Sequence, residues 1–345
     1  VTKEVAMTAR PLLPLAALLV LTLSTFAAGA RADCPPDPTA EAPPCAAEAR
    51  AGDACPRKLK HDPARFARLA AASGARDPAR AALDRRPFDL GAMDPRYFRA
   101  LTYAPQYVDL PVSAFLLPEP PENSSQRTRA EIDALLELAR TARTPAAVAR
   151  AHRLAGVYYR PTVRPDDPEW TALRQNLFFT AAGVDERFDP ALLPKTADLV
   201  ARVWSDASFY VWALKYRYNR PRPYELDPDL EPLERPSFPA YPSAHSANSY
   251  VAALVLAELL PEQRTELLAN AAELAYSREV LGVHFASDSA AGEQLARAFV
   301  AELLRSPAFQ RDLAAARAEL AATPHVESDR RAAERDERDD CAAAC

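Results

Sequence analysis

Apolar residues recur at three- and four-residue intervals in six stretches: Arg129–Ala142, Pro145–Tyr158, Pro190–Lys215, Ser246–Leu260, Glu262–Arg278 and Phe285–Leu304. That spacing lines one face of an α-helix, and the lengths suit a bundle. Tyr250–Leu260 is apolar nearly all round, which predicts a central buried helix; it is too short to cross a bilayer. The chain offers no alternating strand pattern of useful length, no internal repeat and no glycine-rich nucleotide loop. Its 33 prolines against 8 glycines describe helices punctuated by proline, so the expected fold class is all-α.

Composition adds limits. With 49% hydrophobic and 26% charged residues the chain can bury a real core. A net charge of -5 gives no global attraction to nucleic acid or anionic membranes, so any anion must be bound by a local cluster of cations. Residues 1–32 read as an export signal: Arg10 precedes the apolar run Leu12–Ala28, and Ala30-Arg31-Ala32 offers a small-residue cleavage site. No stable membrane insertion is expected once it is removed, which places the protein in the periplasm or outside the cell. Residues 33–57 read as an irregular Pro/Ala-rich extension, 58–324 as the helical domain, and 325–345 as a charged, disordered tail. Cys34, Cys45, Cys55, Cys341 and Cys345 all fall in these ends, where their odd number would leave one thiol over after pairing. A homo-oligomer is compatible with the sequence.

Three segments concentrate chemistry. In Lys215-Tyr216-Arg217-Tyr218-Asn219-Arg220-Pro221-Arg222-Pro223, the prolines must stop a cationic helix, leaving Arg222 in an extended piece that can fold back toward Lys215. Taken alone this is a basic helix end complementing the dipole. In Pro242-Ser243-Ala244-His245, Ser243 is a plausible N-cap, and the first turn then offers free backbone N–H groups to an anion. In Ser277-Arg278 through His284 to Asp288, Gly282 should end one helix and the next should start near His284. His284 and Asp288 would then lie four apart on one helical face, with the carboxylate accepting from Nδ1–H and Nε2 left unprotonated.

Together the segments resemble one pattern: Lys215, six residues, Arg222-Pro223; Pro242-Ser243-x-His245; Ser277-Arg278, five residues, His284, three residues, Asp288. This is similar to the three-part signature of the type 2 phosphatidic acid phosphatase superfamily, which also holds class A bacterial non-specific acid phosphatases and vanadium haloperoxidases. The resemblance covers roughly Leu116–Leu304, since Leu116-Leu117-Pro118-Glu119-Pro120-Pro121 also looks like the Pro-rich lead-in of the class A enzymes. One letter departs from the family: Ala244 stands where glycine is usual. Its backbone N–H survives, while its Cβ is expected to tighten the pocket.

The resemblance implies a helical bundle and an acid phosphatase acting on small phosphomonoesters. It gives His284 the role of nucleophile, Asp288 that of its support, and His245 that of proton donor. Lys215, Arg222, Arg278, the Ser243 hydroxyl and the Ala244 amide would hold the phosphate oxygens. No metal or other cofactor is required by that scheme, and no nucleic acid partner is implied. The nearest rival is a vanadium-dependent haloperoxidase, in which the same residues would hold vanadate and His284 would ligate vanadium. A phosphate-binding protein without catalysis would be expected to have lost a histidine or Asp288. His61, His152 and His325 are expected in surface or packing roles, and Phe178, Phe179, Trp204, Tyr210 and Trp212 in the core.

Overall fold

Proline and capping side chains set the helix boundaries. The computed structural model describes residues 58–157 and 177–325, apart from 63, 73, 75, 76, 93, 94 and 103, and these fall in one compact unit. They include α1 Arg65–Ala70, α2 Gln126–Thr141, α3 Pro145–Gly156, α4 Pro194–Tyr218, α5 Ala244–Ala257, α6 Arg264–Val280, α7 Ala286–Leu303 and α8 Pro307–Ala322. Short 3-10 stretches and a single turn, Pro223–Leu226, lie between them; there is no strand among the described residues. Pro145, Pro194 and Pro307 begin α3, α4 and α8, where the missing N–H would have had no helical partner. Ser125, Thr144, Ser243 and Ser306 each accept from the backbone N–H three residues on, capping α2, α3, α5 and α8. Helix α4 has no such cap; instead the Glu319 carboxylate on α8 accepts from the Lys195 and Thr196 N–H groups.

Helix α5 is the centre. It packs against α4, α6 and α7, and every residue from His245 to Ala257 is buried, as its all-round apolar pattern predicts. Burying Val251, Leu254, Val255 and Leu256 contributes about 1.5–3 kcal/mol for each side chain. Gly292 on α7 lets the two helices touch: a Cβ there would stand 2.7 Å from the Ser243 carbonyl oxygen and from the Ser246 Cβ. Helix α8 closes over α4, and α3 over α6.

Several boundaries differ from the expected ranges, and the helix over Ser246–Leu260 runs from Ala244 to Ala257 and that over Glu262–Arg278 from Arg264 to Val280. Helix α2 starts at Gln126 because Ser125 caps it. Helix α4 starts at Pro194, after a turn over residues 190–192, and continues three residues past Lys215. Helix α8 was not foreseen, because its buried Phe309, Leu313, Ala316 and Leu320 form a narrow stripe diluted by alanine and charge. The lead-in and the segment before it are stitched to α4 by side chains: Asp206 accepts from the Gln106 and Tyr107 N–H groups, Tyr210 bridges Val108 and Leu110, and Tyr218 bonds Leu117 in the lead-in. Tyr210, Trp204, Trp212 and Phe178 are buried and Phe179 half-buried, as packing residues. His325 is exposed, whereas His61 is half-buried against Tyr276.

The export signal, the extension to residue 57, all five cysteines and the tail beyond 325 lie outside the described residues, as does Tyr158. No described helix is long and apolar enough to cross a membrane.

Candidate active site

The first segment delivers two buried cations. Asn219 ends α4 in the left-handed conformation (φ 45°), its N–H bonded to the Lys215 carbonyl, and Pro221 prevents any continuation. Arg222 then sits extended at the N-cap of the turn Pro223–Leu226, where its own N–H donates to the Glu225 carboxylate. Lys215 Nζ donates to the carbonyls of Pro239 (2.7 Å) and Ala240 (3.1 Å), and Arg222 Nε to that of Phe238 (3.0 Å). The Phe238 ring faces both, 5.3 Å from Nζ and 4.8 Å from the guanidinium carbon. Both side chains are fully buried. Burial, and then the neighbouring cations, push the Lys215 ammonium well below its ordinary range; burial brings Arg222 down to about 10. These values suit a site that gains by receiving negative charge.

In the second segment, Ser243 caps α5 as predicted, and its N–H donates to the Asp288 carbonyl (3.0 Å), tying this turn to the third segment. Ala244 is the first helical residue. His245, in the same turn, is 8% exposed, and its Nε2 donates to the Ala155 carbonyl on α3 (3.0 Å). Burial, then Arg278, Lys215 and Arg222, hold this imidazole well below its usual range and so keep it neutral.

The third segment begins at the end of α6. Gly282 takes φ +73°, its N–H bonds the Glu279 carbonyl and the Val283 N–H bonds that of Arg278, a Schellman stop. Helix α7 does not start at His284. Phe285 is its N-cap and His284 precedes it, so the four-residue helical spacing is not what joins His284 to Asp288. Asp288, in the first turn, reaches back instead: one carboxylate oxygen, Oδ2, accepts from the Phe285 N–H and from His284 Nδ1, both at 3.0 Å. The expected hydrogen bond is present by a different route.

These pieces meet at His284. Arg222 Nη1 lies 3.0 Å from His284 Nε2 and also donates to the Val283 carbonyl (2.8 Å). Arginine only donates, so Nε2 is the unprotonated nitrogen and the ring proton sits on Nδ1, toward Asp288. Burial, then Arg222, press the imidazole well below its ordinary range against the pull of Asp288, leaving it neutral. Asp288 stays ionised at about 2: burial alone would raise it, but Arg220 and His284 bring it down. Arg222 Nη2 and Arg278 Nε and Nη1 are buried without a hydrogen-bond partner among the described residues. Buried donors left unpaired beside a neutral imidazole make a receptor for an oxyanion.

Three partners were not read from the sequence. Glu234 accepts from Arg278 Nη2 (2.7 Å) and meets His152 Nδ1 at 3.3 Å; Arg220 and Glu131 lie next to Asp288. Arg220 falls in the cationic run but had no assigned task, and nothing near Glu131 or Glu234 marks them. A surface cleft of about 480 Å³ bordered by Phe66, Arg127, Tyr241, Ser287 and Glu293 includes none of the predicted phosphate-holding residues.

Residues 200–312 match the family model of the PAP2 superfamily. A non-specific acid phosphatase from Salmonella typhimurium is 27% identical over 223 residues, covering 60% of this chain and 80% of the relative. An acid phosphatase from Zymomonas mobilis is 33% identical over 147 residues, covering 41% and 54%. A solved bacterial vanadium-dependent iodoperoxidase aligns with a TM-score of 0.48 at 20% identity, over 70% of this chain and 63% of that one. The matched span holds Lys215 through Asp288, all three segments that meet at the site, and over it the chain is similar to the PAP2 superfamily.

Proposed function

We propose that this protein is an acid phosphatase, a phosphomonoester hydrolase acting on soluble organic phosphates through a phosphohistidine at His284. One observation carries the reading: His284 is neutral, with Nε2 as its lone-pair nitrogen, beside buried guanidinium N–H groups that have no partner among the described residues. The acid phosphatases of similar sequence support it.

In the first step the Nε2 lone pair of His284 attacks phosphorus in line, the N–P bond forming as the ester P–O bond breaks. Lys215, Arg222 and Arg278, with the Ser243 hydroxyl and the Ala244 N–H, hold the non-bridging oxygens, and their charge counts most where the transition state spreads negative charge. Asp288 stabilises the imidazolium that develops. His245 gives the leaving alkoxide its proton and then takes one from water, which attacks phosphorus and releases inorganic phosphate and His284. With Nε2 donating to Ala155, that proton comes from Nδ1, or from Nε2 after it leaves the carbonyl. Burial, and then three facing cations, keep His245 neutral, and a bound phosphate dianion would cancel much of the cations' field. The substrate thereby helps to protonate its own general acid.

Export by residues 1–32 and a phosphatase domain at 58–324 are part of the same proposal. The test is hydrolysis of para-nitrophenyl phosphate by the purified chain, with competitive inhibition by vanadate and acid-quenched trapping of labelled phosphate on histidine. Absence of both turnover and label would overturn the reading.

A further inference from the structure

Asp288 has two carboxylate oxygens, and His284 uses one. The other, Oδ1, accepts from Arg220 Nη1 at 2.6 Å. The same nitrogen reaches Ser287 Oγ (2.8 Å), and Arg220 Nη2 lies 3.4 Å from Glu131 Oε2. Glu131, from α2, accepts from the Ser287 N–H (2.9 Å) and hydroxyl (2.8 Å) at the start of α7. The guanidinium carbon stands 3.8 Å from the centre of the Phe285 ring, which fixes its plane. Glu131, Arg220 and Asp288 are at most 2% exposed. One guanidinium is therefore shared between two buried carboxylates, only one of which touches the imidazole.

We propose that Arg220 and Glu131 are positioning residues for the nucleophile: Arg220 keeps Asp288 ionised and turned toward His284 Nδ1, and Glu131 anchors Arg220 while tempering its charge. Neither belongs to the motif letters. Two buried carboxylates this close cannot both stay charged without a cation between them, and the one that picked up a proton would no longer accept from Nδ1–H. The burial-raised carboxyl of Glu131 and the depressed one of Asp288 agree with Arg220 acting chiefly on Asp288. The inference rests on the phosphatase reading of His284.

A cluster that merely joined α2, α4 and α7 would affect stability and not titration, which separates the two accounts. The assay is kcat/KM for para-nitrophenyl phosphate against pH, in the full chain and in Arg220→Met, Arg220→Lys and Glu131→Gln. Protonation of Asp288 or His284 sets the acid limb. His284 is faced by Asp288, Arg222 and Lys215, and Asp288 by Arg220, His284 and Glu131; Arg278 and His245 complete the charged surroundings. All but the substituted group are common to wild type and variant. Arg220→Met should move the acid limb up by about one to three pH units. Arg220→Lys should restore most of that shift, and Glu131→Gln should move the limb down. Limbs that stay in place, or that move the same way in Arg220→Met and Glu131→Gln, overturn the proposal. Should Arg220→Met fail to fold, Glu131→Gln decides by itself: a limb that does not move down is fatal. A wild-type chain without hydrolysis would sink the phosphatase reading instead. The inference is then read from the His284 ring nitrogens, titrated by NMR in the same variants with the same opposite shifts expected.

Discussion

His284 Nε2 accepts a hydrogen bond from Arg222 Nη1, 3.0 Å away. A lone pair so engaged cannot attack phosphorus. In the proposed mechanism the phosphate that displaces this bond offers Arg222 an oxygen in exchange, so the residue proposed to hold the oxyanion would also guard the proposed nucleophile until one arrives. The arrangement asks for a planar fork: Nε goes to Phe238, Nη1 to Val283 and His284, and Nη2 has no partner among the described residues.

Lysine at 222 keeps the charge and loses that fork. We expect Arg222→Lys to lower kcat/KM by about 10²–10³-fold and to weaken inhibition by inorganic phosphate. Steady-state kinetics with phosphate as inhibitor checks both; an unchanged kcat/KM would contradict the assigned contact.

Removing the proposed nucleophile is the harsher change. His284→Ala should reduce turnover by more than about 10³-fold, and acid-quenched label on histidine should disappear with it.

His245 is predicted to matter according to the leaving group. His245→Ala should cost about 10²–10⁴-fold on alkyl phosphates, whose alkoxides need a proton, and much less on nitrophenyl phosphate. Equal losses on the two substrates would argue against its role as the acid.

Both imidazoles make the protein acid-sensitive. Each is pressed well below 6.5 in the folded state, so the unfolded chain takes up protons first as pH falls through 6.5. Their contribution is intact above that pH and is lost below it, by about 1.4 kcal/mol per pH unit for each histidine. Asp288, at about 2 against 3.8, adds a second loss in the window between those values. Calorimetry from pH 8 to 4.5 should show Tm falling below pH 6.5, with added phosphate flattening the slope. A flat Tm without phosphate would show the imidazoles titrating normally.

Gly292→Ala tests the contact between α5 and α7. The new Cβ would meet the Ser243 carbonyl oxygen and Ala247 N at 2.7 and 2.8 Å, and both belong to backbone that cannot swing aside. A loss of about 1–3 kcal/mol by denaturant unfolding is expected, with KM for phosphomonoesters raised because Ser243 shifts.

Much of this site was legible from one chain. Proline and glycine punctuation gave a helix stop before Arg222 and another at Gly282, whereas the left-handed Asn219 that ends α4 was not read. The cap at Ser243 and the buried α5 were equally local, as were the letters that mark Lys215, Arg222, Arg278, His245, His284 and Asp288. The onset of α7 was misread because His284 gave no sign of preceding its cap.

Local sequence determined which residues could carry this chemistry and where the helices bearing them stop, since capping and proline sterics act within a few residues. Tertiary structure alone decided that Glu131 meets Arg220 across 89 positions, that Glu234 engages Arg278, and that His245 leans on Ala155. Such contacts depend on how helices pack in space, and a carboxylate on a helix face looks the same in sequence whether it meets water or a buried guanidinium.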